Sequence, residues 1–510
     1  MRADEPAPPP LQALQDEVNE YASSLFASHT PHRYNDGKIV RDAVFGYQRF
    51  HPHEVSVIDS PLLQRLRYVH QTALAYLVYP CAHHSRFEHS LGVSILAGRV
   101  TEALGKLVMD NRPDKTGIRE VRLAGLLHDC GHCLFSHLSE SIMSQRFAAT
   151  LGAIRASQYF KKGNVKFGEI LSYLLVRSDA FGTFWDSLRT CYPDLEIDSE
   201  KIARLIVGEV DEHEQYKADI ISGPFDADKL DYFTRDAHFT GVKVEVDIER
   251  LLHTVTILNR PGRPSFLVMK RGGVPHLEQI LFSKMMLFSS IYHHHKIRAL
   301  ECMVKAIFET VWEDPSAITN PRLRLKTITD FLRVSEAEFL VKAAEEGRLS
   351  VQVNKLLQRD TLKRALVLNS ATIRIGENAI DACRKFQTLA EPVNALQIAQ
   401  IRNEIFVSLP QQFQTSVREL WLDLPTNPPL SDDAEQCKIE VDPTEEPLPL
   451  RNFFPSDEWV AAYGDNKWTG HVFYSPDDEK RRSAGEEAIR ILSYLYNIEF
   501  TPMARDNCFK

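Results

Sequence analysis

Apolar residues recur at helical spacing through most of the chain before residue 320. Leu62, Leu63, Leu66 and Val69 follow Asp59-Ser60-Pro61, where a capping side chain and an early proline announce a helix start. Leu91, Ile95, Ala97, Val100 and Leu104 fall near one face of a helix expected from Arg86 to about Met109. Val121 to Asp129, Pro224 to Phe239, Leu277 to Val311 and Leu323 to Gln358 read the same way. Strand-like alternation is scarce before residue 250. Thr254 to Leu258 and Ser265 to Met269 are short strand candidates, joined by a turn at Arg260-Pro261-Gly262-Arg263-Pro264. Beyond about residue 360 the pattern mixes, with strands expected at Ala371 to Ile375 and Val417 to Leu422 and a helix at Ala484 to Asn497. The expected fold is therefore mainly α, a helical core with a smaller α+β C-terminal region. The expected division is a flexible lead-in over 1–35, a core domain over 36–320 and a C-terminal region over 321–510. An acidic, Pro-rich surface loop is expected near 425–449.

Composition changes this picture little. At 44% hydrophobic and 25% charged residues, the 510-residue chain is ordinary for a globular protein. A net charge of −9 argues against general nucleic-acid binding, so an anionic substrate would need its positive charge gathered in one cleft. The first ten residues are acidic and Pro-rich without an apolar stretch, so no secretory signal is expected. No run approaches the ~20 apolar residues of a membrane helix. Eight scattered cysteines fit reduced thiols and a cytoplasmic setting.

The chemistry gathers in three helical segments, each bringing polar residues into an apolar frame. They are Ser85-Arg86-Phe87-Glu88-His89-Ser90, Leu126-Leu127-His128-Asp129-Cys130-Gly131-His132 and Asp226-Ala227-Asp228-Lys229-Leu230-Asp231-Tyr232. In the second, Leu123, Ala124, Leu126 and Leu127 are core-type residues, so a buried His-Asp pair must be satisfied. One divalent metal ion satisfies both side chains, and imidazole with carboxylate suits Mn, Mg, Fe or Zn. In the third, Asp228, Tyr232 and Asp236 share one helix face with Lys229 beside them. Each segment alone reads as ordinary helix surface or core; the three together point to a metal and phosphate site.

These residues resemble the HD superfamily, whose signature is H…HD…D. The longer strings resemble its deoxynucleoside triphosphate triphosphohydrolase branch. They are Asp59 to Tyr68, Arg86 to Val93, Gly125 to His132, Phe135-Ser136-His137, Asp226 to Asp236 and Tyr292 to Ala299. The resemblance covers roughly residues 40–310, which makes 36–320 the HD phosphohydrolase domain. It implies His89, His128, Asp129 and Asp228 as metal ligands and His132 and His137 beside the scissile α-phosphate. It implies Arg86, Lys229 and Lys284 as phosphate-binding cations. Tyr232, Asp236 and Gln71 would contact the sugar, Tyr292 would pack on the sugar face, and His294 would be the site-facing member of His293-His294-His295. Asp59, Gln64, Arg67 and Arg250, with Asp247, match a regulatory nucleotide site; a capped helix with surface ion pairs explains them equally. The implied reaction turns a dNTP into a deoxynucleoside and inorganic triphosphate, with a nucleotide activator and a homo-oligomer as further implications. Relatives of this kind also act in antiviral defence by depleting nucleotides.

There is one departure. The family's downstream His-Glu pair, whose histidine helps proton transfer, corresponds here to Phe167-Gly168-Glu169. Glu169 fits, but no histidine precedes it. His132 or His137 would then handle the proton. The departure keeps two other readings open: an HD phosphohydrolase acting on another nucleotide or on single-stranded nucleic acid, and a nucleotide sensor without turnover. Cys130-Gly131-His132-Cys133 is formally CxxC, but it overlaps the HD motif and has no second pair.

Overall fold

Capping chemistry places the third polar cluster. In the computed structural model, the Ala227–Thr240 helix begins at Asp226, whose side chain accepts from the Lys229 N–H. It ends at Gly241, where a φ of 76° closes the helix at no Cβ cost. The structure describes residues 7–107, 115–160, 165–260, 263–376, 378–427, 434–506, 508 and 509. They are mainly helical, with small sheets.

The chain forms two compact units. The first comprises Met1–Lys284, Lys326–Ala337 and Asp432–Phe454; the second comprises Met285–Leu325, Glu338–Ser431 and Pro455–Lys510. In the first unit the Arg86–Leu107 helix packs against both Lys115–Leu127 and Ala227–Thr240. Two glycines permit the approach. A Cβ on Gly125 would lie 3.1 Å from the Ser94 backbone, and one on Gly92 would lie 1.8 Å from Asp231 Oδ1. Alanine at Gly92 has no room without displacing a buried ion pair.

Several boundaries differ from expectation. Strands do occur early: Lys38–Asp42 and Gly46–Phe50 pair as an antiparallel ribbon. Most of its residues face water, so it carries no apolar alternation. The expected strands near 254 and 265 form as Val255–Leu258 and Phe266–Lys270, antiparallel; turn residues 261 and 262 lie outside the described residues. Part of the expected 425–449 loop is strand, since Lys438–Glu440 pairs parallel with Phe266–Lys270 and antiparallel with Leu448–Pro449. Residues 428–433 of that loop lie outside the described residues.

The long helix expected from Leu277 breaks. Val274–Leu287 gives way to a π turn at Phe288–Tyr292, and His295–Glu313 follows with His294 as its N-cap. The Leu323–Gln358 stretch divides into Asp330–Arg333, Glu336–Glu345 and Ser350–Leu357. Val417–Glu419 is a 3-10 turn, and the strand is Trp421–Asp423. The buried strand Gly470–Tyr474 lies between it and Lys363–Leu368, antiparallel to both. Among the described residues no helix is long and apolar enough to cross a membrane.

Candidate metal centre

His128 follows directly on the last residue of the Lys115–Leu127 helix, where backbone carbonyls lack helical partners. Its Nδ1 lies 2.8 Å from the Gly125 carbonyl. A carbonyl only accepts, so Nδ1 carries the proton and Nε2 carries the lone pair. His89 is arranged alike from the Arg86–Leu107 helix. Its Nδ1 meets Asp231 Oδ2 at 2.7 Å, which leaves Nε2 as the nitrogen whose lone pair becomes available once its proton is displaced. Both Nε2 atoms are buried and have no hydrogen-bond partner among the described residues.

The two lone pairs converge on carboxylates. His89 Nε2 lies 3.1 Å from Asp228 Oδ1 and 3.4 Å from Asp129 Oδ2. His128 Nε2 lies 3.3 Å from Asp129 Oδ1 and 3.9 Å from Asp228 Oδ1. Ligand atoms of His89, His128 and Asp228 all fall within 4.8 Å of one another. Orphaned imidazole lone pairs facing carboxylates fit a divalent ion. Without one, the charges shift to compensate. Burial disfavours a charged His89, but Asp228 and Asp231 raise its pKa to about 10. Burial likewise disfavours a charged Asp129, yet Arg86, His128 and His132 hold its carboxyl well below the usual range.

A buried frame orients the ligands. Arg235 reaches Asp231 with Nε at 2.9 Å and Nη2 at 2.8 Å, and Asp42 with Nη2 at 3.0 Å. Asp231 thus fixes His89 and is itself fixed. Arg86 donates from Nη1 to Asp129 at 2.6 Å and from Nε to Ser136 Oγ at 2.8 Å, while its buried Nη2 has no hydrogen-bond partner among the described residues. Phe135 and Ser136 adopt φ of 59° and 52°, a backbone strained for residues with a Cβ. Glu336 pins that turn by accepting from the Phe135 N–H at 2.9 Å.

The remaining expected residues fall as follows. His132 is buried between Asp129 and Glu140, whereas the His137 side chain is 64% exposed. Lys229 Nζ turns back onto the Gly223 carbonyl and Asp226. Asp236 is buried and paired with His84 Nε2 at 2.7 Å, and the Gln71 N–H donates to the His84 carbonyl. Tyr232 is half-buried on the same helix, and Lys284 is buried in the first unit. Glu169 caps its own helix by accepting from the Lys166 N–H. Tyr292 and His294 belong to the second unit; Tyr292 packs edge-on against Phe288. The three consecutive histidines sit at the break between helices rather than on one helix.

Asp59 accepts from Lys38 at 3.2 Å, Gln64 accepts from Arg67 at 2.8 Å, and the Arg67 guanidinium stacks on Phe87. The Arg250 N–H is capped by Asp247. Burial pushes the Cys130 and Cys133 thiols up to about 12, which does not suit redox or thiolate chemistry. Sequence reasoning missed Asp231, Arg235, His84, Glu140 and Glu336. For Asp231 and Arg235 a signal existed, because opposite charges four apart share one helix face and can pair.

A profile described as HD domain matches residues 86–232, and one described as HD associated region matches residues 246–420. An uncharacterized protein of Methanocaldococcus jannaschii is 28% identical over 302 residues, covering 59% of this chain and 56% of that protein. Deoxynucleoside triphosphate triphosphohydrolase SAMHD1 of Homo sapiens is 31% identical over 229 residues, covering 42% of this chain and 35% of that protein. The Xenopus laevis protein of the same name is 28% identical over 293 residues, covering 53% and 45%. The match thus spans about half, or less, of these relatives' length. A crystal structure of a hypothetical protein from Aquifex aeolicus shares the fold, with a TM-score of 0.61 and 22% identity over 88% of this chain and 99% of that one.

Proposed function

We propose that this chain, which matches an HD domain profile over residues 86–232 and an HD associated region profile over 246–420, hydrolyses deoxynucleoside triphosphates to a deoxynucleoside and inorganic triphosphate. The observation that carries the reading is the convergence of the orphaned His89 and His128 nitrogens on Asp129 and Asp228. These four residues would hold one divalent ion, Mn, Mg, Fe or Zn. When bound, the ion supplies Lewis acidity at the α-phosphate. Arg86, held beside Asp129 with Nη2 still unpartnered, meets the charge that develops there, and Lys229 and Lys284 add to it. Asp236, braced by His84, and Tyr232 with Gln71 form the sugar wall. Tyr292 and His294, in the second unit, are the further substrate contacts that the resemblance implies. His132 and His137 stand where a proton must be moved, and Glu169 serves by fixing the helix start beside Gly168. Asp59, Gln64, Arg67 and Arg250 are proposed as a regulatory nucleotide site that biases homo-oligomer assembly.

The test is incubation of Mn²⁺-loaded protein with each dNTP, alone and with GTP. Release of triphosphate supports the reading; intact dNTPs under all conditions refute it. Gly168 favours a second reading, hydrolysis of another nucleotide or of single-stranded nucleic acid. A Cβ there would lie 2.2 Å from Glu140 Oε1, so the space of the missing histidine is taken. Metal-dependent cleavage of such substrates with dNTPs untouched would select it.

Two consequences concern the ion itself. Asp231→Asn is expected to raise the Mn²⁺ dissociation constant about 10–100-fold, because the amide oxygen can still accept from His89 Nδ1 but no longer lends the imidazole the carboxylate's charge and the basicity that comes with it. Direct titration checks this, and unchanged affinity would remove Asp231 from the account. The second is a proton count. With its pKa raised to about 10, His89 is charged at neutral pH in the ion-free chain, so an incoming ion must displace a proton. Mn²⁺ affinity should therefore climb as pH rises from 6.5 towards 10, with proton release visible by calorimetry in buffers of different ionisation enthalpy. The stabilisation that the raised pKa gives the ion-free chain runs the other way: full below about pH 6.5, lost as pH rises through 10.

A further inference from the structure

A second cluster adjoins the first. A ring nitrogen from each of His132 and His137 and a carboxylate oxygen of Glu140 lie within 4.8 Å of one another. His132, whose side chain is 7% exposed, turns Nε2 towards Asp129 Oδ1 at 3.1 Å. Both ring nitrogens of His132 thus face carboxylate oxygens, which only accept. Nδ1 lies 2.8 Å from Glu140 Oε1, and both atoms are buried in a geometry that is not a hydrogen bond. At this separation the contact is favourable only with a proton or a metal ion held by the two atoms. His89 and His128 show the same arrangement: one ring nitrogen on an acceptor, the other orphaned and aimed at a carboxylate. Glu140 Oε2 also lies 3.2 Å from His137 Nδ1, and the His137 side chain opens to solvent. Gly168 makes the cluster feasible. A Cβ at that position would lie 2.2 Å from Glu140 Oε1 and 3.3 Å from His132 Cε1, so any other residue would push the carboxylate away.

We propose that His132, Glu140 and His137 form a second divalent-cation site, adjoining the first through Asp129. Two imidazoles and one carboxylate suit a borderline first-row ion such as Mn²⁺, Fe²⁺ or Zn²⁺ better than Ca²⁺. The exposed side at His137 leaves coordination positions for water or a phosphate oxygen. The site goes beyond the hydrolase reading and does not depend on which nucleotide is the substrate; with the ion held through the Nδ1 atoms, only the Nε2 atoms of His132 and His137 remain for proton transfer.

The test is equilibrium dialysis of the full chain against Mn²⁺, with ions counted by elemental analysis and folding checked by circular dichroism. Wild type is expected to hold two ions per chain. Glu140→Gln, which keeps the shape, and His137→Ala, which changes a solvent-exposed side chain, should each hold one ion fewer. His128→Ala should also lose one ion, from the first site. If both Glu140→Gln and His137→Ala keep the wild-type count, whatever that count is, a proton alone fills the gap and the proposal is overturned. If Glu140→Gln loses an ion while His128→Ala loses none, the second site stands and the first assignment fails.

Discussion

Asp228→Asn is expected to lower metal-dependent hydrolysis by about a thousandfold or more while leaving the chain folded. Asparagine keeps the shape but removes the charge that faces the His89 and His128 lone pairs. At 30% side-chain exposure, position 228 tolerates a neutral amide without a buried orphan. Lewis-acid stabilisation amounts to several kcal/mol, and about 1.4 kcal/mol corresponds to each tenfold in rate. Asp129 is a poorer choice, because its loss strips Arg86 of its buried carboxylate and confounds catalysis with stability. Steady-state rates at saturating Mn²⁺, beside a thermal melt, separate the two. Turnover near wild type in Asp228→Asn would remove this residue from the ligand set.

The second large effect falls on stability. Arg235→Met should destabilise the chain by about 3–5 kcal/mol, the range for breaking a buried ion pair from one side. Arg235 is fully buried and bridges Asp231 and Asp42, so methionine leaves two carboxylates in the interior without their cation. Asp231 also supports His89, so ion affinity should fall with stability. Denaturant unfolding of the metal-free protein measures the first part, free of any ligand contribution. A midpoint within error of wild type would show that the interior pair is solvated after all.

The polar clusters were legible because each breaks an apolar frame at a point where burial demands a partner. His128 and Asp129 interrupt a run of core residues, and the structure puts them at a helix end where the Gly125 carbonyl fixes the imidazole. The mainly helical fold followed from apolar spacing alone. What escaped reading depends on residues far apart in sequence. Glu336 reaches the Phe135 turn across 201 residues, and Lys438–Glu440 joins a strand that starts at Phe266. No local pattern marks either. The early ribbon at 38–50 escaped because its faces are wet, and the break at Phe288–Tyr292 because neither glycine nor proline marks it. No local pattern singles out Glu140; a Cβ at Gly168 would lie 2.2 Å from its Oε1, beside the segment where the resemblance expects a histidine.

The most direct test of the central claim is product analysis. Wild-type protein and Asp228→Asn are incubated with Mn²⁺ and an equimolar mixture of the four dNTPs with GTP, and products are resolved by chromatography. The account predicts deoxynucleosides and inorganic triphosphate from wild type, and neither from the variant or from wild type stripped of metal. Intact nucleotides from folded, metal-loaded wild type, or equal turnover by both proteins, would contradict it.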